Sequence, residues 1–68
     1  MKKREGKKIR VLIADDSSVG RRLLASILSD DPSIEVVAMA SDGKEAFEMT
    51  IKHKPDVVSM DINMPVMD

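Results

Sequence analysis

Three aspartates follow two short apolar runs, and their side chains could do chemistry together. Asp15 and Asp16 come directly after residues 9–14, and Asp61 follows residues 57–60. If both runs are parallel strands of one sheet, their carboxyl ends meet at one edge, where α/β sheets bind their ligands. Three carboxylates at one point repel one another, so they must bind a cation, hold a proton, or do both.

Mg²⁺ suits such a cluster because it prefers oxygen ligands and keeps several of its waters. A carboxylate beside Mg²⁺ can also attack phosphorus, since the metal neutralises the phosphoryl oxygens. The alternative is purely structural: Asp15 and Asp16 end a strand and cap a helix, and Asp61 begins a turn. The residues alone leave both interpretations open.

The elements that would position these aspartates alternate between strands and helices. Nearly continuous apolar runs predict buried strands, and apolar residues at helical spacing predict the helices between them. Each crossover is long enough for a right-handed parallel connection. The pattern predicts strands at residues 9–14, 34–39 and 57–60, and helices from Ser17 or Ser18 to Ser29 and from about Gly43 to Lys52.

The position of the aspartates also predicts the strand order. For Asp15, Asp16 and Asp61 to converge, the first strand must lie between the other two, which gives a parallel sheet ordered 2-1-3. Glu35 in the second strand fits an edge position. The chain is therefore predicted to be an α/β unit with one sheet and two helices.

Local signals refine the two helices. The first helix carries an apolar stripe. Gly20, in the first turns of this helix, either permits a close backbone approach or is a tolerated defect. Asp42 and Glu45 have the spacing of a capping box at the start of the second helix. The stripe of the first helix consists of Val19, Leu23, Leu24, Ile27 and Leu28, and the inner face predicted for the second consists of Ala46, Phe47, Thr50 and Ile51.

Composition excludes several classes of protein. The 68 residues allow one domain at most, and a chain this short is marginally stable. The sequence has no cysteine and His53 is its only histidine, so disulfides and zinc sites are not expected. No apolar stretch approaches the length of a membrane-spanning helix. The apolar run after the basic start is short and leads into Asp15 and Asp16, so we expect a cytoplasmic protein.

The charge is unevenly distributed. Residues 1–8 carry five basic groups and one acidic group, whereas residues 9–68 carry six basic and eleven acidic groups. We expect residues 1–8 to be a disordered basic leader and residues 9–68 to form the folded domain. A basic tail without aromatic residues is a weak signal for nucleic-acid binding, so neither nucleic acid nor membrane is an expected partner.

Several segments resemble a known family. Residues 11–17 (VLIADDS), 41–46 (SDGKEA) and 54–68 (KPDVVSMDINMPVMD) are similar to the receiver domain of two-component response regulators. The last segment most resembles receivers that precede a chemotaxis protein-glutamate methylesterase. The resemblance covers residues 9–68. The Asp-Asp-Ser motif is weak evidence alone, but it is strong together with the intervening topology and the methionine-proline segment that begins three residues after Asp61.

The resemblance implies a fold and a set of roles. The family has a five-stranded, doubly wound, flavodoxin-like fold. Asp61 would be the phosphoacceptor, and a histidine kinase would be the phosphodonor. Asp16 and Asp61 would ligate Mg²⁺ directly, Asp15 mainly through water, and Asn63 through its backbone carbonyl. Pro65 would set the turn beyond the site.

The family pattern also continues past Asp68, with later strands that end in Ser or Thr and in Lys. The 68 residues are therefore expected to form a truncated sheet, half of a flavodoxin-like fold, in which phosphotransfer is impaired. His53 and Lys54 would not replace the missing residues because they lie at the opposite end of the sheet. No Ser-His-Asp methylesterase portion is present, so the chain is not expected to be an enzyme.

A half-fold of this kind leaves the apolar edge of strand 57–61 without a neighbour, and such an edge is a template for pairing. We expect a homodimer with an antiparallel junction and a six-stranded sheet ordered 2-1-3-3′-1′-2′. Exchange of a helix or of the tail at residues 62–68 is the competing geometry. The alternative function is thus an inactive half-domain that mainly self-assembles. A small phosphohydrolase is disfavoured because such enzymes typically carry Asp-x-Asp rather than Asp-Asp-Ser.

Overall fold

The computed structural model describes residues 7–60 and confirms the predicted alternation of strands and helices. The second strand is one residue longer than predicted, and the second helix extends to His53. Most of the predicted leader, and also Asp61, Asn63 and the tail, lie outside the described residues. The elements are β1 (Ile9–Ala14), α1 (Ser18–Ser29), β2 (Ile34–Ala40), α2 (Gly43–His53) and β3 (Val57–Met60).

The three strands form a parallel sheet in the predicted order, β2-β1-β3. β1 is central, and Leu12 and Ile13 are completely buried. The register between β1 and β2 shifts by one residue between Val11 and Leu12. At the carboxyl end, Ala14 is paired with Ala40 on one side and with Met60 on the other. All three strands therefore end at the same edge of the sheet.

Both helices begin at side-chain caps. The Ser17 hydroxyl oxygen accepts a hydrogen bond from the Gly20 amide at 3.1 Å, and the Asp42 carboxylate accepts one from the Glu45 amide at 2.8 Å. The carboxylate of Glu45 accepts from the amide of Ser41 at 2.7 Å and from its hydroxyl at 2.9 Å. The predicted capping box is thus present, with Ser41 rather than Asp42 as the donor to Glu45. These bonds satisfy amides that a helix start leaves without intrahelical partners.

The end of α2 is set by Lys54. Its backbone is left-handed with φ 48°, and its amide donates to the carbonyl of Thr50 at 2.9 Å. A left-handed residue commonly ends a helix in this way, and Pro55 follows it. The chain then turns directly into β3.

The prediction for the inner face of α2 was wrong in part. Ala46 is buried against Leu12, Ala14 and Ala40, and Met49 packs against the same cluster. Phe47 is 55% exposed and Ile51 is 59% exposed, so they do not face the sheet. The apolar residues of α2 occupy two adjacent stripes of the helix, and only the stripe with small Ala46 lies against β1 and β2.

The apolar stripe of α1 divides in the same way. Leu24 and Leu28 are half-buried, whereas Val19, Leu23 and Ile27 are 74%, 61% and 57% exposed. The crossover through α1 runs from β1 to β2, and the crossover through α2 runs the opposite way across the sheet, from β2 to β3. Right-handed crossovers in opposite directions place their helices on opposite faces of the sheet. Each face of the described sheet is therefore covered by one helix with an exposed apolar stripe. Neither α1 nor α2 is long and apolar enough to cross a membrane.

Candidate functional site

Asp15 lies at the carboxyl end of β1 and is held by hydrogen bonds at several atoms. Its amide donates to the carbonyl of Ala40 at 3.0 Å, which extends the contact between β1 and β2 beyond their paired residues. Its Oδ1 accepts from the amide of Ser17 at 2.9 Å, and its carbonyl accepts from Nη1 of Arg21 at 2.7 Å. The side chain is half-buried. Asp15 is thus oriented by both neighbouring elements, β2 and α1.

Asp16 follows at the same edge and is exposed. It immediately precedes Ser17, the N-cap of α1. The amides of a helix N-terminus and the helix dipole favour negative charge there. Asp15 and Asp16, which are consecutive in the sequence, both lie at the carboxyl end of β1 beside the start of α1.

The predicted partner of these acids follows β3. Met60, the last residue of β3, is paired with Ala14, the residue before Asp15. Asp61 and Asn63 come next in the sequence but lie outside the described residues, so the predicted ligand set is described only at Asp15 and Asp16. Within residues 7–60, no group of three histidine, cysteine, aspartate or glutamate side chains is placed to hold a metal ion.

The opposite end of the sheet carries a polar junction that the sequence analysis missed. The amide of Arg10 donates to the carboxylate of Asp56 at 2.9 Å, and the amide of Asp56 donates to the carbonyl of Arg10 at 2.8 Å. Nη1 of Arg10 also donates to the carbonyl of Lys54 at 3.0 Å. The signal in the sequence is a single arginine in an otherwise apolar strand. This junction places Lys54 beside the start of β1, away from the acidic pair, as predicted.

Comparison with known proteins identifies the family. The response regulator receiver domain model matches residues 11–68. The chain belongs to the receiver domain family of response regulators. Together with the parallel sheet ordered β2-β1-β3, this membership confirms the flavodoxin-like class of fold that the sequence predicted.

Individual relatives agree with the predicted chemotaxis type. A protein-glutamate methylesterase/protein-glutamine glutaminase 2 of Carboxydothermus hydrogenoformans is 57% identical over 61 residues, which is 90% of this chain and 17% of that protein. The match is confined to the receiver domain of that methylesterase. The methylesterase activity therefore belongs to the relative as a whole and not to the matched region.

Two solved structures extend the comparison. The response regulator domain of Thermotoga maritima CheB superimposes with a TM-score of 0.85 and 47% identity, covering 91% of this chain and 46% of that domain. One chain of the complex of the CheA3 P1 domain with CheY6 from R. sphaeroides superimposes with a TM-score of 0.79 and 38% identity. The match covers half of that chain. The chain thus spans about half the length of the receivers it matches.

Proposed function

We propose that this chain is the phosphoacceptor part of a chemotaxis-type receiver, with Asp61 as the residue that is phosphorylated. The observation that carries the proposal is the pairing of Ala14 with Met60. In the sequence, each of these residues is followed directly by an acid, Asp15 or Asp61. The register of two parallel strands therefore supports one acidic site shared by their carboxyl ends.

The chemistry assigned to Asp61 is a transfer from a phosphohistidine. A carboxylate oxygen of Asp61 attacks phosphorus, the bond between phosphorus and the imidazole nitrogen breaks, and its electron pair returns to the imidazole. The product is an acyl phosphate on Asp61. A histidine kinase is the phosphodonor that the family implies, and the matched complex of CheA3 P1 with CheY6 supports a donor of the chemotaxis kinase class.

The described residues fit a Mg²⁺ ion as a cofactor. Asp15 and Asp16 offer only oxygen donors, and the exposure of Asp16 suits an ion that keeps several waters. The hydrogen bond from the Ser17 amide to Oδ1 orients the Asp15 carboxylate, which suits the water-mediated role implied by the resemblance. Asp61 and the carbonyl of Asn63 complete the proposed ligand set. When bound, Mg²⁺ would neutralise charge on the phosphoryl oxygens.

A polypeptide of these 68 residues alone is proposed to accept phosphate more slowly than an intact receiver. The hydroxyl residue and the lysine that contact the phosphoryl group in the family come from later strands. Without that positive charge, the acyl phosphate is held only by the acidic edge and its cation. This proposal concerns only the isolated 68-residue polypeptide.

Phosphorylation can be measured by incubating the chain with acetyl phosphate and Mg²⁺ and recording the intact mass. The expected result is a mass gain of one phosphoryl group that disappears in Asp61→Asn. Asp30→Asn, which changes an exposed acid at the end of α1, is the matched control and should retain the gain. Persistence of the gain in Asp61→Asn would contradict the assignment, and absence of a gain in the unchanged chain would favour the inactive half-domain that self-assembles.

A second candidate function, self-assembly, is favoured by the exposure of β3. Val57, Val58 and Met60 are 49%, 38% and 54% exposed, and within residues 7–60 this strand pairs with β1 alone. An apolar strand with a bare edge promotes pairing with another chain. The proposed assembly is a homodimer joined by antiparallel β3 strands, with exchange of a helix or of residues 62–68 as the competing geometry.

Light scattering over a range of protein concentrations tests this candidate. A stable dimer is expected for the unchanged chain, and Val58→Lys should shift it towards monomer because charge at a strand edge opposes pairing. Val19→Lys adds the same charge to the exposed stripe of α1 and should leave the dimer intact. A concentration-independent monomer in the unchanged chain would rule out self-assembly.

A further inference from the structure

Gly20 lies in the first turns of α1, directly against the carboxylate of Asp15. A Cβ atom at position 20 would lie 2.6 Å from Oδ2 of Asp15, 3.3 Å from its Cγ and 3.5 Å from Cβ of Ser17. The first distance is far shorter than a van der Waals contact between carbon and oxygen. Any residue other than glycine would therefore displace the Asp15 carboxylate from its observed position.

Moving the carboxylate away would strain a hydrogen bond, because its other oxygen is held by the start of α1. Its Oδ1 accepts from the Ser17 amide at 2.9 Å, while the backbone of Asp15 is fixed through its own amide and through the Arg21 guanidinium on its carbonyl. Oδ2 is the oxygen that faces Gly20. The position of the acid is therefore determined by bonds on one side and by the missing side chain of Gly20 on the other.

We propose that Gly20 and Arg21 are positioning residues for Asp15, and thereby for the acidic site. Gly20 provides the space in which the carboxylate lies, and Arg21 holds the carbonyl of the same residue. This inference rests on the proposed function, because it takes the orientation of the Asp15 carboxylate to serve cation binding. It adds two residues of α1 to a site otherwise built from strand ends.

The competing explanation is that Gly20 is a tolerated defect of the helix. Glycine is a poorer helix former than alanine, so replacing a merely tolerated glycine should stabilise α1 and leave the acids unchanged. The two explanations therefore predict different results for Gly20→Ala. Gly43→Ala, the same change in the first turn of α2, is the matched control.

The test is an NMR titration of the isotope-labelled 68-residue chain with Mg²⁺, repeated for Gly20→Ala, Arg21→Ala, Gly43→Ala and Asp16→Asn. Gly20→Ala is expected to weaken Mg²⁺ binding by about tenfold, the lower part of the range for residues that orient metal ligands. Arg21→Ala should weaken it by a smaller factor, and Gly43→Ala should bind like the unchanged chain. Should alanine at position 20 prevent folding, Arg21→Ala decides the outcome.

A second readout needs no metal. Hydrogen exchange of the Ser17 amide, measured without Mg²⁺, should be faster in Gly20→Ala than in the unchanged chain because the bond to Asp15 is lost. Unchanged Ser17 exchange together with unchanged Mg²⁺ affinity would overturn the inference. If the unchanged chain does not bind Mg²⁺, or Asp16→Asn binds it equally well, the proposed cation site fails, while faster Ser17 exchange would still support the positioning of Asp15 by Gly20.

Discussion

Arg10 and Asp56 are joined across the start of β1 and β3 by one backbone hydrogen bond and by one bond to the carboxylate of Asp56. The amide of Arg10 donates to this carboxylate at 2.9 Å, although the two residues are 46 positions apart in the sequence. The carbonyl of Arg10 in turn accepts from the amide of Asp56. The junction fixes where β3 begins, and with it the register that brings Met60 opposite Ala14.

Replacing Asp56 by alanine should therefore destabilise the chain. The bond from the Arg10 amide involves a charged acceptor, but the site is exposed, so we expect a loss of about 1 kcal/mol in the free energy of unfolding. Urea denaturation followed by circular dichroism measures it. Asp30→Ala changes an exposed acid outside the junction and should cost less. Equal losses in both variants would show that the junction contributes nothing specific.

The N-cap of α1 offers a second prediction. Ser17→Ala removes the hydroxyl that accepts from the Gly20 amide, and the loss of such a cap costs about 1 kcal/mol. Ser18→Ala, one residue later and already within α1, is the control and should be nearly neutral. The comparison uses urea denaturation under identical conditions. A larger loss at Ser18 than at Ser17 would contradict the assigned cap.

The centre of the sheet should be the most sensitive position. Leu12 is completely buried, and truncating a buried leucine to alanine costs about 2–5 kcal/mol. In a chain this small, we expect Leu12→Ala to remove the cooperative thermal transition seen by circular dichroism. Leu23→Ala shortens a side chain that is 61% exposed and should retain the transition. The opposite order of sensitivity would be incompatible with the described core.

Phosphorylation should depend on the acids at the end of β1. Asp16→Asn removes one carboxylate of the proposed Mg²⁺ set, so we expect it to lower phosphate incorporation from acetyl phosphate by about tenfold or more. Removal of Mg²⁺ with a chelator should have a comparable effect on the unchanged chain. Intact mass spectrometry at fixed times measures both. If the Asp16→Asn variant incorporates phosphate in Mg²⁺ at the rate of the unchanged chain, Asp16 is excluded from the site.

The sequence predicted the sheet well because its signals are local and strong. A nearly continuous apolar run such as residues 9–14, interrupted only by Arg10, favours a buried strand, and the two acidic strand ends predict the order 2-1-3. The helices were predicted with nearly correct bounds for the same reason. Serine and aspartate caps mark their starts, and the apolar spacing marks their lengths.

What the sequence could not predict are choices that depend on distant neighbours. Periodicity shows that Ala46 and Phe47 both belong to apolar stripes of α2, but only the assembled sheet shows that Ala46 faces it. The bonds between Arg10 and Asp56 join residues far apart in the chain. At the site, the residues of the acidic pair were predicted, whereas the close approach of Gly20 to Asp15 emerges only from the path of α1.

The central place of β1 has a consequence for how the chain folds. The outer strands do not pair with each other in the described sheet, so every strand pair must include β1. Its nearest partner begins 25 positions later, at Ile34, and the contact with Asp56 spans 46 positions. Nucleation therefore requires closure of long loops, and we expect β1, α1 and β2 to assemble first because they close the shorter loop. In that order, the edge of β1 that receives β3 is the last to be completed. The proposed acidic site would therefore form only in the final step of folding.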